Sequence, residues 1–263
     1  MNYNLHTHTY RCHHASETPE EYVLRAIECG VKYFGFSDHV PLKFHDGTQS
    51  GHRVYVEEAK AYCDEIKALA EKYSDKIEIH VGFEAEFYPE YIDEMINNVI
   101  DWGAEYLILG PHFTAPENEP GNQHSIKDTD SPVALKNFVN MVISGMSEGV
   151  FTYVAHPDMF NFQGDEAVYE REITRLCQAG KNYNMPFELN FLGIRDRRVY
   201  PNVKFWEIAG RCGVPVTFGF DSHDAMAAYD GQSLVTALEM VEKFKLNYIG
   251  RAPLVKLEKR NYC

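Results

Sequence analysis

Short apolar segments alternate with long amphipathic segments along the chain, and this alternation is the strongest constraint on its fold. Most of the short segments are rich in aromatic and β-branched residues, which suit buried strands. They cover residues 3–5, 33–36, 77–83, 106–110, 151–155, 187–189 and 214–220. Strands that alternate with helices form βαβ units and a parallel sheet. The sequence therefore predicts an α/β fold, and no linker divides residues 1–263 into more than one domain.

The amphipathic segments carry helix start and stop signals. Thr18-Pro19 is a good N-cap followed by proline at the first helical position, and Gly30 is a good C-cap. Further helices are predicted over residues 54–72, 90–102, 132–148, 167–183, 203–212 and 233–245. Seven strands and seven helices favour a sheet closed into a barrel, with an open doubly wound sheet as the alternative.

Each apolar segment ends in residues that can bind a metal ion. In chain order these are His6 and His8, Asp38 and His39, Glu84, His112, His156, Glu188 and Asn190, and Asp221 and His223. In a β/α barrel all strand C-termini open on one face, so these side chains should converge there. Mixed imidazole and carboxylate donors suit Zn²⁺, Mn²⁺ or Fe. Their number exceeds the four ligands of one zinc ion, so we expect two or three ions, with Glu84 bridging a pair.

Charge and composition restrict the partners. The chain has 39 acidic and 25 basic residues, a net charge of −14, which argues against nucleic acid or an anionic membrane as partner. No apolar run approaches the length of about 18 residues that a membrane span needs, and no signal peptide is visible. The six cysteines form no CxxC pair, so we expect reduced thiols in a cytoplasmic protein. Of the remaining histidines, one of His13 and His14 should point inward, and His45, His52, His80 and His124 should be structural or exposed.

Several motifs resemble the polymerase-and-histidinol-phosphatase (PHP) family of metal-dependent phosphoesterases. The motifs are Leu5-His6-Thr7-His8-Thr9, Cys12-His13-His14, Phe36-Ser37-Asp38-His39, Gly82-Phe83-Glu84, Gly110-Pro111-His112-Phe113, Ala155-His156-Pro157-Asp158 and Gly219-Phe220-Asp221-Ser222-His223. The segment from Glu188 to Arg195, followed by Tyr200-Pro201, resembles the histidinol-phosphate phosphatase branch of that family. Phe191-Leu192 depart from the small residues expected there.

The resemblance implies a distorted seven-stranded parallel (β/α)7 barrel of the TIM type with a trinuclear centre. The implied metal ligands are His6, His8, His14, His39, Glu84, His112, His156, Asp221 and His223. His14 is preferred to His13 because it holds the family spacing. The substrate is expected to be a small phosphomonoester, with L-histidinol phosphate, an intermediate of histidine biosynthesis, as the first candidate.

Roles in the reaction can be predicted for a few of these residues. Glu84, Asp221 and His223 are candidate catalytic residues, and either Asp221 or a metal-held water would protonate the leaving oxygen. Asp38, next to His39, is expected to orient the imidazole of a metal ligand. The candidate substrate-binding residues are Arg195, Asn190 and Glu188, with Arg195 preferred to Arg197 and Arg198 as a phosphate clamp because a guanidinium matches two phosphoryl oxygens.

Three other functions remain open at this point. The chain could hydrolyse another small phosphomonoester, a nucleotide or a short oligonucleotide end. It could be an amidohydrolase-type barrel that cleaves C–N bonds, although such a barrel would not be expected to place ligands on the second and third strands. It could also bind metal without catalysis, which an open site for several ions argues against.

Overall fold

The computed structural model describes residues 1–260, and its strands form one parallel sheet in sequence order. Cys263, one of the cysteines predicted to be reduced, and the end of the predicted domain lie outside the described residues. The strands are β1 (Tyr3–Asn4), β2 (Tyr33–His39), β3 (Glu78–Ala85), β4 (Tyr106–Leu109), β5 (Phe151–Val154), β6 (Phe187–Asn190), β7 (Pro215–Gly219) and β8 (Asn247–Tyr248). Each strand pairs in parallel with the next.

Helices connect these strands. They are α1 (Pro19–Glu28), α2 (Ala59–Lys72), α3 (Ile92–Trp102), α4 (Pro132–Ser147), α5 (Glu166–Asn182), α6 (Phe191–Asp196), α7 (Val203–Cys212) and α8 (Gly231–Phe244). Their ends follow local chemistry. At the start of α1, the backbone N–H of Thr18 donates to the Glu21 carboxylate at 2.7 Å, and α7 ends at Gly213, whose φ of 69° suits glycine.

Both faces of the sheet are buried, as β4 shows. Leu107 and Leu109 belong to the large apolar cluster that includes the helices, whereas Tyr106 and Ile108 belong to a second cluster on the opposite face. Side chains alternate between the two faces of a strand, so this division follows from the pleat. The hydroxyl of Tyr106 donates to the carbonyl of Leu5 at 2.9 Å, so the side chain crosses this second face from β4 to the segment after β1.

The segments that follow β1 and β7 lie side by side. Thr7 and Ser222 form a parallel bridge, in which the backbone N–H of His8 donates to the Ser222 carbonyl at 2.9 Å. At the other end of these strands, the hydroxyls of Tyr3 and Tyr248 are 3.0 Å apart. This pairing brings the beginning of the chain next to residues near its end, and therefore places His6 and Asp221 at one site.

The predicted α/β fold with parallel strands is confirmed, and two elements were missed. All seven predicted strands are present, but the sheet has an eighth, β8, which is too short to show a hydrophobic pattern. Helix α6 was also not predicted, because it begins directly after β6 within a segment interpreted as a motif. Within residues 1–260, no helix has the length and apolar character that crossing a membrane requires.

Candidate metal centre

The donor side chains predicted from the sequence meet at the C-terminal ends of the strands. His39 ends β2 and Glu84 lies near the end of β3, while the other donors lie in the segments that follow β1, β4, β5 and β7. Two of these, His156 and Asp221, have positive φ angles of 29° and 49°. Such backbone is unfavourable for residues other than glycine and is concentrated at functional sites.

Glu84 lies at the middle of the cluster, and its two oxygens face different imidazoles. Oε2 is 3.3 Å from Nε2 of His6, 3.4 Å from Nε2 of His8 and 3.3 Å from Nδ1 of His39. Oε1 is 3.4 Å from Nε2 of His112 and 3.0 Å from Nε2 of His156. One carboxylate therefore contributes a donor atom to two neighbouring groups, as a bridging ligand must.

The first group has the dimensions of a tetrahedral metal site. Besides their contacts with Glu84, Nε2 of His6 and Nε2 of His8 lie 3.5 and 3.3 Å from Oδ1 of Asp221. A regular tetrahedron with metal–ligand bonds of about 2.05 Å has edges of about 3.3 Å. Four of the six edges between these four donors run from 3.3 to 3.5 Å, which matches the size of such a site.

Two further groups surround the first. Glu84 Oε1, His112 and His156 form a three-donor group. On the other side, the ring of His14 lies 5.3 Å from that of His39 and 4.9 Å from that of His223. Cys12 is near this third group, but burial, and then the charge of Asp38, raise the pKa of its thiol, which disfavours the thiolate that would bind a metal.

The donor atoms themselves lack hydrogen-bond partners, which a metal would supply. Within residues 1–260, the buried atoms without a partner include Nε2 of His6, Nε2 of His8, Nδ1 of His39, both carboxylate oxygens of Glu84 and Oδ1 of Asp221. Leaving a buried polar group unpaired costs about 1–3 kcal/mol, and more when the group is charged. Such an accumulation at one point is consistent with a set of metal ligands, and the residues present fit two or three ions of the zinc, manganese or iron type.

Burial and charge within the cluster favour the metal-binding protonation state at Glu84 and at His39, but not at His6. Burial favours the neutral acid, but the surrounding imidazoles, His112 foremost, hold the pKa of Glu84 well below its usual range. Burial lowers the pKa of His39 well below its usual value. Burial also disfavours a charged ring at His6, but nearby carboxylates, Asp221 foremost, raise the pKa of His6 well above the usual value. A metal would compete with a proton for that nitrogen.

Glu188 and Asn190, predicted to bind substrate, lie behind the donors and contact two of them. Glu188 Oε1 accepts a hydrogen bond from Nδ1 of His6 at 2.8 Å, which turns Nε2 of that ring toward Glu84. Asn190 donates to Oδ2 of Asp221 at 3.0 Å. Both side chains are buried and neither lines the cavity described below. Their geometry is that of residues that position ligands, and their contact with substrate stays a prediction.

Two glycines of the motifs make room for these carboxylates. A Cβ atom at Gly110 would collide with the side chain of Glu84, and one at Gly219 would collide with that of Glu188. Gly110 comes directly after β4, and Gly219 is the last residue of β7. Glycine at these positions is therefore a requirement of the buried carboxylates and not of the backbone conformation.

Asp38 lies against the imidazole of His8 and not against that of its neighbour in sequence. Its Oδ1 lies 3.5 Å from Nδ1 of His8 and accepts the backbone N–H of His39, not the His39 ring. Its Oδ2 accepts hydrogen bonds from the backbone and the hydroxyl of Thr9. Asp38 therefore faces the segment after β1, which lies beside β2, and orients that segment.

A cavity of about 750 Å³ opens above the donors. Arg195 and Arg198 both line the cavity, so their positions do not favour Arg195 over Arg198 as the phosphate clamp, as the sequence prediction did. Arg195 donates to Asp230 at 3.0 Å and lies 3.4 Å from the carbonyl of Asp221, which holds it at the edge of the metal centre. Its role as a phosphate clamp remains a prediction.

Four of the remaining histidines line the cavity. They are His52 and His124, which were expected to be structural or exposed, and both His13 and His14, of which only one was expected to point inward; His124 is exposed, as predicted. Burial, and then the charge of neighbouring His112, lower the pKa of His124 to about 4. His45 and His80 agree with the prediction, since they lie against Tyr91 and between two glutamates, away from the cavity.

Sequence reasoning missed the residues that hold His112. Nδ1 of His112 is 2.7 Å from Oε1 of Glu86, which is buried and is also bound by Arg53. Glu86 follows the Glu84 motif by two residues, so the alternation of a strand could have indicated that both point to the same side. Arg53 lies in a loop with no motif, and nothing in the sequence marks it.

Comparison with known proteins identifies one family and relatives whose descriptions agree with it. The family described as PHP domain matches residues 4–191. A probable histidinol-phosphatase of Deinococcus radiodurans is 26% identical over 228 residues, covering 83% of this chain and 85% of the relative. The histidinol-phosphatase of Bacillus subtilis is 24% identical over 251 residues, covering 84% and 92%.

A solved structure shares the fold over almost its whole length. It is the histidinol phosphate phosphatase of Lactococcus lactis, crystallised with zinc, L-histidinol and phosphate. Its TM-score is 0.70 at 20% sequence identity, covering 98% of this chain and 99% of that one. At this identity the likeness supports the fold and not the activity.

Proposed function

The chain belongs to the PHP domain family, and on that premise we propose that it is a metal-dependent phosphomonoester hydrolase acting on L-histidinol phosphate. The observation that carries the proposal is Glu84, whose two oxygens face separate groups of imidazoles on the floor of an open cavity. A carboxylate shared between adjacent donor groups suits ions that act together on one phosphoryl group. The naming of relatives as histidinol-phosphatases supports the choice of substrate.

The proposed ligands divide among the three groups. His6, His8, Glu84 and Asp221 would hold one ion, Glu84, His112 and His156 a second, and His14, His39 and His223 a third. When bound, zinc, manganese or iron ions polarise phosphoryl oxygens and lower the pKa of a coordinated water toward neutrality. Glu188 and Asn190 keep His6 and Asp221 in place for this.

Arginine side chains would receive the phosphate from the open side. Arg195 and Arg198 lie on the cavity wall, and each presents a planar fork that matches two phosphoryl oxygens. The pairing of Arg195 with Asp230 fixes its position before substrate arrives. Because the whole molecule carries a charge of −14, these local cations would have to offset its repulsion of an anionic substrate. Burial favours the neutral acid, but nearby imidazoles, His6 foremost, hold the pKa of Asp221 well below its usual range, which disfavours its predicted role as proton donor to the leaving oxygen.

We further propose that the sheet is a closed barrel of seven strands, with β8 packed beside β7 at its N-terminal end. The bridge between Thr7 and Ser222 supports closure between the segments after β1 and β7. Pairing of Pro215 with Asn247 and of Val216 with Tyr248 supports the position of β8 outside that closure.

Phosphate release from purified protein tests the function. Protein loaded with Zn²⁺ or Mn²⁺ is assayed with L-histidinol phosphate, a panel of sugar phosphates and nucleotides, and an amide substrate, with chelated protein as the control. We expect the largest kcat/KM for L-histidinol phosphate. Preference for another ester would support phosphomonoester hydrolysis but reject L-histidinol phosphate as the substrate. Amide cleavage, or no phosphate release from any ester by metal-loaded protein, would reject the whole proposal.

A further inference from the structure

Arg53 is a buried arginine that no motif contains and that lies outside the proposed set of ligands. It is 1% exposed and lies in the loop between β2 and α2. Its guanidinium donates to the carboxylates of Glu86 and Glu117, and to the carbonyl of Val40 at 3.2 Å. A buried guanidinium is tolerated when carboxylates pair with it, and here two carboxylates share one cation.

One of these carboxylates contacts a proposed metal ligand directly. Glu86 binds Arg53 with Oε2 and lies 2.7 Å from Nδ1 of His112 with Oε1. The other ring nitrogen, Nε2 of His112, faces Glu84 at 3.4 Å. The orientation of His112 toward the centre therefore depends on a carboxylate whose own position is fixed by Arg53.

The second carboxylate lies in the long loop between β4 and α4. Glu117 accepts a hydrogen bond from Nε of Arg53 at 2.7 Å and another from the hydroxyl of Tyr88 at 3.1 Å. It is also 3.4 Å from Nε2 of His52, which lines the cavity. Arg53 thus connects the loops that follow β2, β3 and β4 on one side of the cavity.

We propose that Arg53 is a positioning residue for the ion held by Glu84, His112 and His156. It fixes Glu86, which in turn fixes the His112 ring, and it holds Glu117 and its loop at the cavity rim. The inference rests on the proposed function, because it requires that these side chains bind a metal ion. Loss of Arg53 should lower the affinity for that ion selectively and leave the affinity of the tetrahedral group of His6, His8 and Asp221 unchanged.

Zinc titration of metal-free protein against a competing chelator tests this. Arg53→Lys keeps a positive charge but cannot bridge both carboxylates and the carbonyl, and Arg53→Met removes the charge. We expect each to lower the affinity for one ion by about tenfold, in line with losses seen when residues behind metal ligands are changed. Glu86→Gln should lower the affinity for the same ion. If Arg53→Met does not fold, Arg53→Lys still gives the answer.

The matched control is Arg260. Its guanidinium also contacts two carboxylates and a carbonyl, namely the carboxylates of Asp93 and Glu148 and the carbonyl of Glu148, and neither residue is a proposed metal ligand. Arg260→Met should leave every zinc affinity unchanged. The melting temperature of each metal-free variant separates a loss of fold from a loss of metal.

A double-mutant cycle with His112→Ala tests whether Arg53 affects the ion that His112 would hold. In the His112→Ala background, Arg53→Lys should cause no further loss, because both changes act on the same site. Unchanged affinities in the Arg53 variants, equal losses for all ions, or additive losses in the cycle would each overturn the proposal. A wild-type protein that binds no transition metal would instead reject the proposed function.

Discussion

Replacing Glu84 by glutamine should remove two metal ions with one isosteric change. Its Oε2 belongs to the group of His6, His8 and Asp221, and its Oε1 to the group of His112 and His156. Each ion at a hundredfold excess over its Kd stabilises the folded protein by about 2.7 kcal/mol. Two ions therefore contribute about 5.4 kcal/mol, which corresponds to about 10–20 °C in Tm for a chain of this size.

The assay compares the Tm of each protein with zinc and with excess chelator, together with its metal content by mass spectrometry. The wild type, with all three proposed ions at this excess, should lose about 16–32 °C on chelation, and Glu84→Gln, which keeps only the third ion, should lose about a third as much. Asp196→Asn is the control, since Asp196 lines the cavity without contributing a proposed donor. A Glu84→Gln protein with wild-type metal content and a wild-type response to chelator would refute the bridging role.

Three further changes test other parts of the structure. Arg195→Ala should raise the KM for a phosphate monoester about tenfold or more by removing a charge-assisted pair, and an unchanged KM in steady-state kinetics would exclude it from the phosphate site. Glu188→Gln should lower zinc affinity about 10–100-fold because His6 loses its carboxylate partner; equal titration curves for variant and wild type would contradict this. At His80, burial opposes the charged ring, but Glu105 and Glu78 raise the pKa above 6.5. The stability this adds is fully present below pH 6.5 and lost as the pH rises through the folded pKa. The advantage of wild type over His80→Gln in denaturant unfolding should therefore shrink with rising pH, and a constant or growing difference would be contrary to it.

The positions of the donors could be predicted because they depend on a general property of parallel sheets. Apolar segments marked the strands, and strand C-termini share one face, so His39 and Glu84 were expected beside donors from remote parts of the chain. The family, predicted from the same motifs, is confirmed by the match over residues 4–191.

What lies behind the donors could not be predicted, because it depends on side-chain directions between segments. Glu188 ends an apolar run like the other donors, yet its carboxylate turns to the far nitrogen of His6. Asp38 precedes His39 in sequence but faces His8 in space. Arg53 lies in a loop, where no hydrophobic periodicity indicates the path of the chain. Sequence order indicates which strand end a residue occupies, but not which neighbour it contacts there.

The position of the first strand beside the seventh has a consequence for how the centre forms during synthesis. His6 is synthesised long before its proposed co-ligand Asp221 and before Glu188, whose carboxylate holds its ring. A nascent chain that has not reached Asp221 therefore lacks the complete tetrahedral set at any zinc concentration. Binding of that ion would report that the segments after β1 and β7 have come together.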